Sequence, residues 1–452
     1  MKLVAKYKTL LKALSLAIIV CTPLTSASAD LLFNGSRVIP IKAESSSGLD
    51  KIYVVENLTG VTVNYSSNNA KWSKWGNMGA AYGEMITTGV SGNFSTYKFA
   101  DGNDCGITIE DGGRMYHFWI VNYAKHQIEF TNLSIKDGED DCQSMYLNIE
   151  PLKDGNDYSI DYFTINGALR ELDRGYRLSY NTLGYNTNSM GYNQIAKEET
   201  IATLKSSIRV SKPLCDTQFL LSGDRFAREW GKENVAESPI YTTDAVEATT
   251  YAEQEERDND NEQNDQTTGL GGSAPVNIRF VAAITDAAQF TEWQLSASSE
   301  FETYELRFNQ TEVDYTFTEY GTWYMRFQAS NAAGTCDYFS ETYEIHIGES
   351  RLVCPNAFSP NASEGVNDEW KVSYKSIVEF ECHIFNRWGT KIISLTDPSQ
   401  GWDGKYNGKY VPAGVYYYVI KARGSDGHKY DLSGDINILK YKEPSGQTTV
   451  IE

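Results

Sequence analysis

The stretch Tyr315–Gly334, YTFTEYGTWYMRFQASNAAG, decides the fold class. Past Gly321 the residues Tyr324, Arg326 and Gln328 alternate with Met325, Phe327 and Ala329. That period of two sends one set to a buried face and the other to solvent, as a strand does and a helix does not. Gly321 stands where a turn is needed, and Asn331 to Gly334 closes the segment with turn-forming residues. The habit recurs upstream. DKIYVVENLTGVTVNYSSNNAKWSKWG (50–76) reads as strands separated by Asn, Gly and Ser turns, and CGITIEDGGRMYHFWIVNY (105–123) folds back at Asp111-Gly112-Gly113, a hairpin signal.

Composition agrees with this reading. Among 452 residues there are 30 Tyr, 18 Phe and 36 Gly, a balance of strand and turn formers over helix formers. The length allows two to four domains, each with its own core. The chain is therefore expected to be all-β, built of tandem immunoglobulin-like β-sandwich domains. Expected units are 45–127, 128–213 and 214–348, followed by a C-terminal unit at 352–442 and a tail at 443–452. Within the third unit, EERDNDNEQNDQTTGLGGS (255–273) has no aromatic residue and a single apolar aliphatic one, Leu270. Such a run recovers little of the entropy lost on ordering, so a flexible acidic insert is expected at about 252–273. Its Asp258, Asp260 and Glu262 suggest a calcium loop, but the required glycine and glutamate positions hold Gln263 and Gly269.

The first 29 residues read as a secretory leader. Lys2, Lys6, Lys8 and Lys12 precede an apolar stretch from Ala13 to Val20, and Ala27-Ser28-Ala29 supplies small residues for cleavage. Cys21 follows Val20, which is not the small residue that lipid attachment wants. No other segment reaches the ~20 apolar residues of a membrane helix. Without the leader, 36 basic residues face 60 acidic ones, a formal charge of about −24. Phosphate backbones would repel such a surface, which argues against a nucleic-acid partner.

Six cysteines remain: Cys105, Cys142, Cys215, Cys336, Cys354 and Cys382. An even number in an exported chain suggests disulfides, and the expected pairing joins neighbours: Cys105 to Cys142, Cys215 to Cys336, Cys354 to Cys382. No two cysteines have zinc-knuckle spacing. His117, His126, His346, His383 and His428 are scattered, and no hydrolase, metalloprotease or phosphate-loop motif occurs. No cofactor, metal site or catalytic residue is expected, and the protein is read as non-enzymatic. Asp137, Glu139, Asp140 and Asp141 read as an acidic solvated turn. Arg174–Asn193, RGYRLSYNTLGYNTNSMGYN, offers Tyr176, Tyr180, Tyr185 and Tyr192 among Asn, Gly and Ser, a mixture suited to recognising sugars or proteins.

The C-terminal unit carries the densest pattern. Pro355-Asn356-Ala357-Phe358-Ser359-Pro360, Asn367-Asp368, Asn386-Arg387-Trp388-Gly389, Trp402-Asp403-Gly404 and Pro412-Ala413-Gly414-Val415-Tyr416 follow one another in order. This sequence resembles the gliding-motility-associated C-terminal domain, the type B sorting domain of the Bacteroidota type IX secretion system. The resemblance implies recognition by type IX machinery at the outer membrane, and secretion to or display on the outer face of the cell. It departs at Asn361 to Gly365, one residue longer than the family pattern, and in the tail. Tyr315–Gly334 resembles, in turn, the later strands of a PKD-type domain, with a departure at Trp293-Gln294-Leu295-Ser296. The Asn-Arg-Trp-Gly cluster is expected to bury its indole across the sandwich, as scaffold and not chemistry. Three roles are compatible with these residues: a surface adhesin or ligand-binding protein for an extracellular protein or glycan, an assembly component of a surface appendage, and a hydrolase with an unrecognised site.

Overall fold

The computed structural model describes residues 30–136, 138, 141–263, 269–362 and 365–439. The expected leader (1–29), the expected tail (443–452) and Asp137, Glu139 and Asp140 lie outside the described residues. The regular secondary structure among the described residues is almost wholly strand, arranged as four successive β units.

The first unit begins at Leu31, not at residue 45. Leu32–Asn34 pairs with Thr62–Tyr65 and Val38–Lys42 with Lys51–Val55, which ties the lead segment into both sheets. A four-stranded and a six-stranded sheet enclose Val63, Trp72, Phe99, Ile107, Phe118 and Ile120. The Trp72 indole donates to Ser95 Oγ at 3.0 Å, satisfying its only polar atom inside that core. Ile52, Tyr53, Val54 and Val55 are all buried, so alternation vanishes in this strand. Both faces of its sheet are covered: the second face, with Val54, Trp119 and Val121, packs on Tyr162, Leu172, Phe226 and Trp230 of the next unit.

The second unit runs past the expected limit at 213. Thr217–Ser222 pairs with Tyr176–Asn186 and with Val235–Tyr241, and Phe219, Leu221 and Ala236 fill the same core as Leu133, Leu147 and Leu178. Between those strands lies a short helix, Arg225–Glu229, capped by Asp224, whose carboxylate accepts from the Ala227 N–H. The same Asp224 forms a fully buried ion pair with Arg174 and accepts from the Tyr123 hydroxyl of the first unit at 3.1 Å. Arg174 also donates to the Tyr158 and His126 carbonyls. Burial and the Asp224 carboxylate hold the Tyr123 phenol well above its ordinary pKa.

The third unit packs Ala248–Gln254, Val276–Ile284 and Glu312–Phe317 against a sheet centred on Gly321–Ser330, around Phe280, Trp293, Met325 and Phe327. In Gly321–Ser330, Met325, Phe327 and Ala329 face inward and their neighbours face out.

The neighbour-pairing scheme for the cysteines fails. The disulfide joins Cys142 to Cys336, with Cα atoms 5.4 Å apart and a sequence separation of 194. It links the second unit to the third, beside a Lys212–Asp244 ion pair at 2.6 Å and a Tyr192–Thr249 hydroxyl contact at 3.0 Å. Cys105, Cys215, Cys354 and Cys382 are free thiols. Cys105 and Cys142 fall in different units, as do Cys215 and Cys336, so sequence distance does not rank these pairs; Cys354 and Cys382 share the C-terminal core but are not bonded. Cys105 and Cys382 are shut inside separate cores, where burial pushes each thiol up to about 12.

The expected flexible insert is also corrected for its described part. Residues 252–254 belong to strand Ala248–Gln254, Leu270–Gly272 pairs in parallel with Tyr343–Ile347, and residues 257–263 lie against the C-terminal unit. Residues 264–268 lie outside the described residues.

Candidate functional site

In the C-terminal unit a five-stranded sheet is ordered Ala357–Phe358, Lys429–Ile438, Gly414–Gly424, Ile377–Phe385, Lys391–Leu395. The motif residues of this unit separate into an interior group and a surface group.

The first group surrounds two tryptophans: Phe358, Pro360, Trp402, Gly404 and Tyr416 are buried, while Pro355, Asn356, Asn367, Pro412 and Gly414 lie at the unit's surface and brace it. Trp370 and Trp402, both fully buried, exchange backbone hydrogen bonds at 2.9 and 3.0 Å. The Trp370 indole donates to the Pro355 carbonyl at 2.7 Å, and the Trp402 indole to the Lys405 carbonyl at 2.9 Å. Phe358 packs tilted and Tyr416 edge to face against Trp402, with ring centres 5.4 and 5.2 Å away. The Tyr416 hydroxyl donates to the Pro412 carbonyl at 3.0 Å. At Gly404, φ is +76° and a Cβ would stand 2.9 Å from Pro360, so this turn requires glycine. Asp403 accepts from the Lys405 amide and ammonium, Asn367 O from Ser359 N, Asp368 from Gly365 N, and Asn356 O from Asn437. Gly414 opens the central strand. These residues make the fold.

The surface group is Asn386–Gly389. Asn386 Oδ1 accepts from the Trp388 and Thr390 amides at 3.0 and 2.9 Å, and Gly389 takes φ +80° to return the chain. Trp388 is 74% exposed, which overturns the expectation of a buried indole. The reason is positional: the turn projects beyond Phe385, which pairs with Lys391 and Tyr417. The Arg387 guanidinium lies 4.3 Å over the indole, a contact of about 0.5–1 kcal/mol at an exposed site that limits the ring's freedom. Running away from this turn, the outer side of the central strand exposes Val415, Tyr417 and Val419. Tyr417 lies opposite Phe385, and Val419 opposite His383, whose ring contacts Ser394 Oγ at 2.9 Å and Glu381 at 3.1 Å. Exposed apolar residues grouped on one sheet face are the kind of surface that interaction sites use. The arrangement suits recognition. The sequence signal for this face was available in Gly414–Gly424, where tyrosines occupy both parities of the strand.

Of the four tyrosines expected to offer a binding surface, two are buried and two are half-buried. Tyr176 and Tyr180 are buried in the second unit's core. Tyr180 donates to Glu199, whereas the Tyr176 hydroxyl has no protein partner. Tyr185 and Tyr192 meet edge to face at 5.7 Å, half-buried, with Tyr192 bonded to the third unit. Among the described residues, no cluster of three or more His, Cys, Asp or Glu side chains is placed to hold a metal ion, and no helix is long and apolar enough to cross a membrane.

Residues 352–438 match the family model of the CHU_C type IX secretion signal domain. The chain carries a type IX secretion signal. Residues 134–238 match the fibronectin type III domain, a span that includes the two strands beyond residue 213. No curated protein matches the chain. Similar solved structures include a tetra-tandem repeat from the extending region of a large adhesion protein (10% identity, TM-score 0.21, covering 85% of this chain and 96% of that one). Others are the FN1–FN3 domains of chicken CNTN1 (11%, TM-score 0.25, 69% and 98%) and three N-terminal domains of the bacteriophage RB49 outer capsid protein Hoc (9%, TM-score 0.21, 69% and 100%). The type IX signal domain thus stands at the end of an all-β chain, and it marks the protein for secretion.

Proposed function

We propose that this is a non-enzymatic protein displayed on the outer face of the outer membrane, where the upstream units act as a stiff adhesin-like spacer for an extracellular protein or glycan ligand. The observation that carries this reading is the way the units are joined. A buried Arg174–Asp224 pair with Tyr123 fixes the first unit to the second, and the Cys142–Cys336 bridge fixes the second to the third. Hinges between enzyme domains open and close around a cleft, whereas locked joints transmit position along a chain. In this reading the type IX machinery meets the signal domain on the face bearing Trp388, Tyr417, Val415 and Val419.

External protease added to intact cells tests display. The full chain is expected to be cleaved from outside, and a chain ending at residue 350 is expected to be protected. Protection of the full chain would end the surface reading. Binding of the secreted protein to glycan and protein arrays then tests the adhesive role, and hydrolysis of a broad substrate panel, lost in single carboxylate variants, would replace it by an enzyme.

A further inference from the structure

The acidic run that looks disordered in sequence makes a dense set of contacts with the signal domain. Asn261 Nδ2 donates to two main-chain carbonyls of that domain, Val372 at 2.7 Å and Pro398 at 2.8 Å. The Asn261 carbonyl accepts from the Tyr374 amide, the Gln263 amide donates to the Tyr374 carbonyl at 2.7 Å, and Glu262 forms a parallel bridge with Tyr374. Side chains close the contact. Gln263 Nε2 reaches Ser373 Oγ at 2.7 Å, Lys371 pairs with Asp260 at 3.1 Å, and the Tyr374 hydroxyl meets both Asn259 and Glu262. Arg257 braces the run from behind by donating to Glu262 and to the Ser273 carbonyl. These bonds reach the edge segment Ser373–Lys375 and the Pro398 loop, which lie apart from the Trp388 turn in sequence and pairing.

We propose that residues 257–263 are a clasp that holds the signal domain to the third unit independently of the connecting peptide at 348–350. The covalent connection passes through Gly348, Glu349 and Ser350, whereas the clasp grips a different segment by polar bonds alone. Each net hydrogen bond contributes on the order of 1 kcal/mol and those to charged groups more, so the set together can hold two folded bodies without a peptide link. The Ser273–Ser376 and Tyr320–Ser425 bonds at the waist of the joint add to the grip. A cut in the connector would then leave the signal domain seated on its passenger, and separation would need the clasp to open.

The test introduces a specific protease site between Glu349 and Ser350 of the full secreted chain. After cutting, the C-terminal fragment is expected to co-elute with the remainder on gel filtration and to be released slowly on dilution. Asn261→Asp keeps the side-chain shape but turns a carboxylate oxygen toward the Val372 and Pro398 carbonyls, and it is expected to speed release by about tenfold or more. A same-length Gly/Ser replacement of 257–263 serves if Asn261→Asp misfolds, with thermal unfolding of the uncut chain confirming that both bodies are intact. Immediate separation of the cut wild-type protein, or release rates unchanged by both variants, would overturn the proposal. The readout involves no cells, so its failure is distinct from failure of the export reading.

Discussion

Trp388 and Trp402 belong to the same domain, and both stand among turn residues beside a glycine. One is 74% exposed and the other fully buried. The local sequence does not distinguish them; what lies opposite does. Trp402 faces Phe358 and Tyr416 and exchanges backbone bonds with Trp370, while Trp388 projects past the last paired row of its hairpin with Arg387 across its face. An indole in a tight turn thus either closes a sandwich as a nail or stands out in solvent.

The largest expected effect falls on the nail. Trp402→Ala removes a large side chain from a closed core and is expected to cost about 3–5 kcal/mol in urea unfolding of the signal domain. A loss below about 1 kcal/mol would dissolve the contrast. A similar cost is expected at the joint between the first two units. Asp224→Ala leaves Arg174 buried and uncompensated, worth about 3–5 kcal/mol, and limited proteolysis should find the 122–130 region opened. If that joint is as tolerant as a surface, the spacer is not stiff.

A smaller effect is tied to pH. Hydrogen bonds from Arg37 and then Lys232 hold the Glu56 carboxyl down at about 2, below its ordinary 4.5. Lys232 belongs to the second unit, so the group spans the same joint. A depressed carboxylate contributes its stability in full above the unfolded pKa and loses it as pH falls through the folded one. Thermal melts of wild type and Glu56→Gln are therefore expected to differ at about pH 6 and to converge toward about pH 2. The smallest stability effect is expected for Trp388→Ala, within about 0.5 kcal/mol in urea unfolding, as for surface substitutions generally.

Much of the fold is legible in the sequence where one face of a strand meets water. Gly321–Ser330 alternates because its outer residues are solvated. Lys51–Val55 does not, because a neighbouring unit covers its second face, and a single chain of letters does not announce that neighbour. The end of the second unit is hidden in a similar way: the strands Thr217–Ser222 and Val235–Tyr241 are split by a helix that packs against the first unit. Residues 257–263 look disordered because composition measures apolar burial, and this run is held by polar bonds to an edge strand. The signal domain's motifs were visible in order, but their division between interior and surface was not. Residue type places tryptophan in cores on average, and the Asn386 lock that turns Trp388 outward is a matter of geometry.

The central claim, that the Arg387–Trp388 turn is displayed for recognition and does not support the fold, is tested most directly by locating the full-length Trp388→Ala protein in cells. The account predicts a folded protein, with wild-type unfolding behaviour, that is retained in the periplasm and protected from external protease. A folded Trp388→Ala protein reaching the cell surface in wild-type amounts would contradict it.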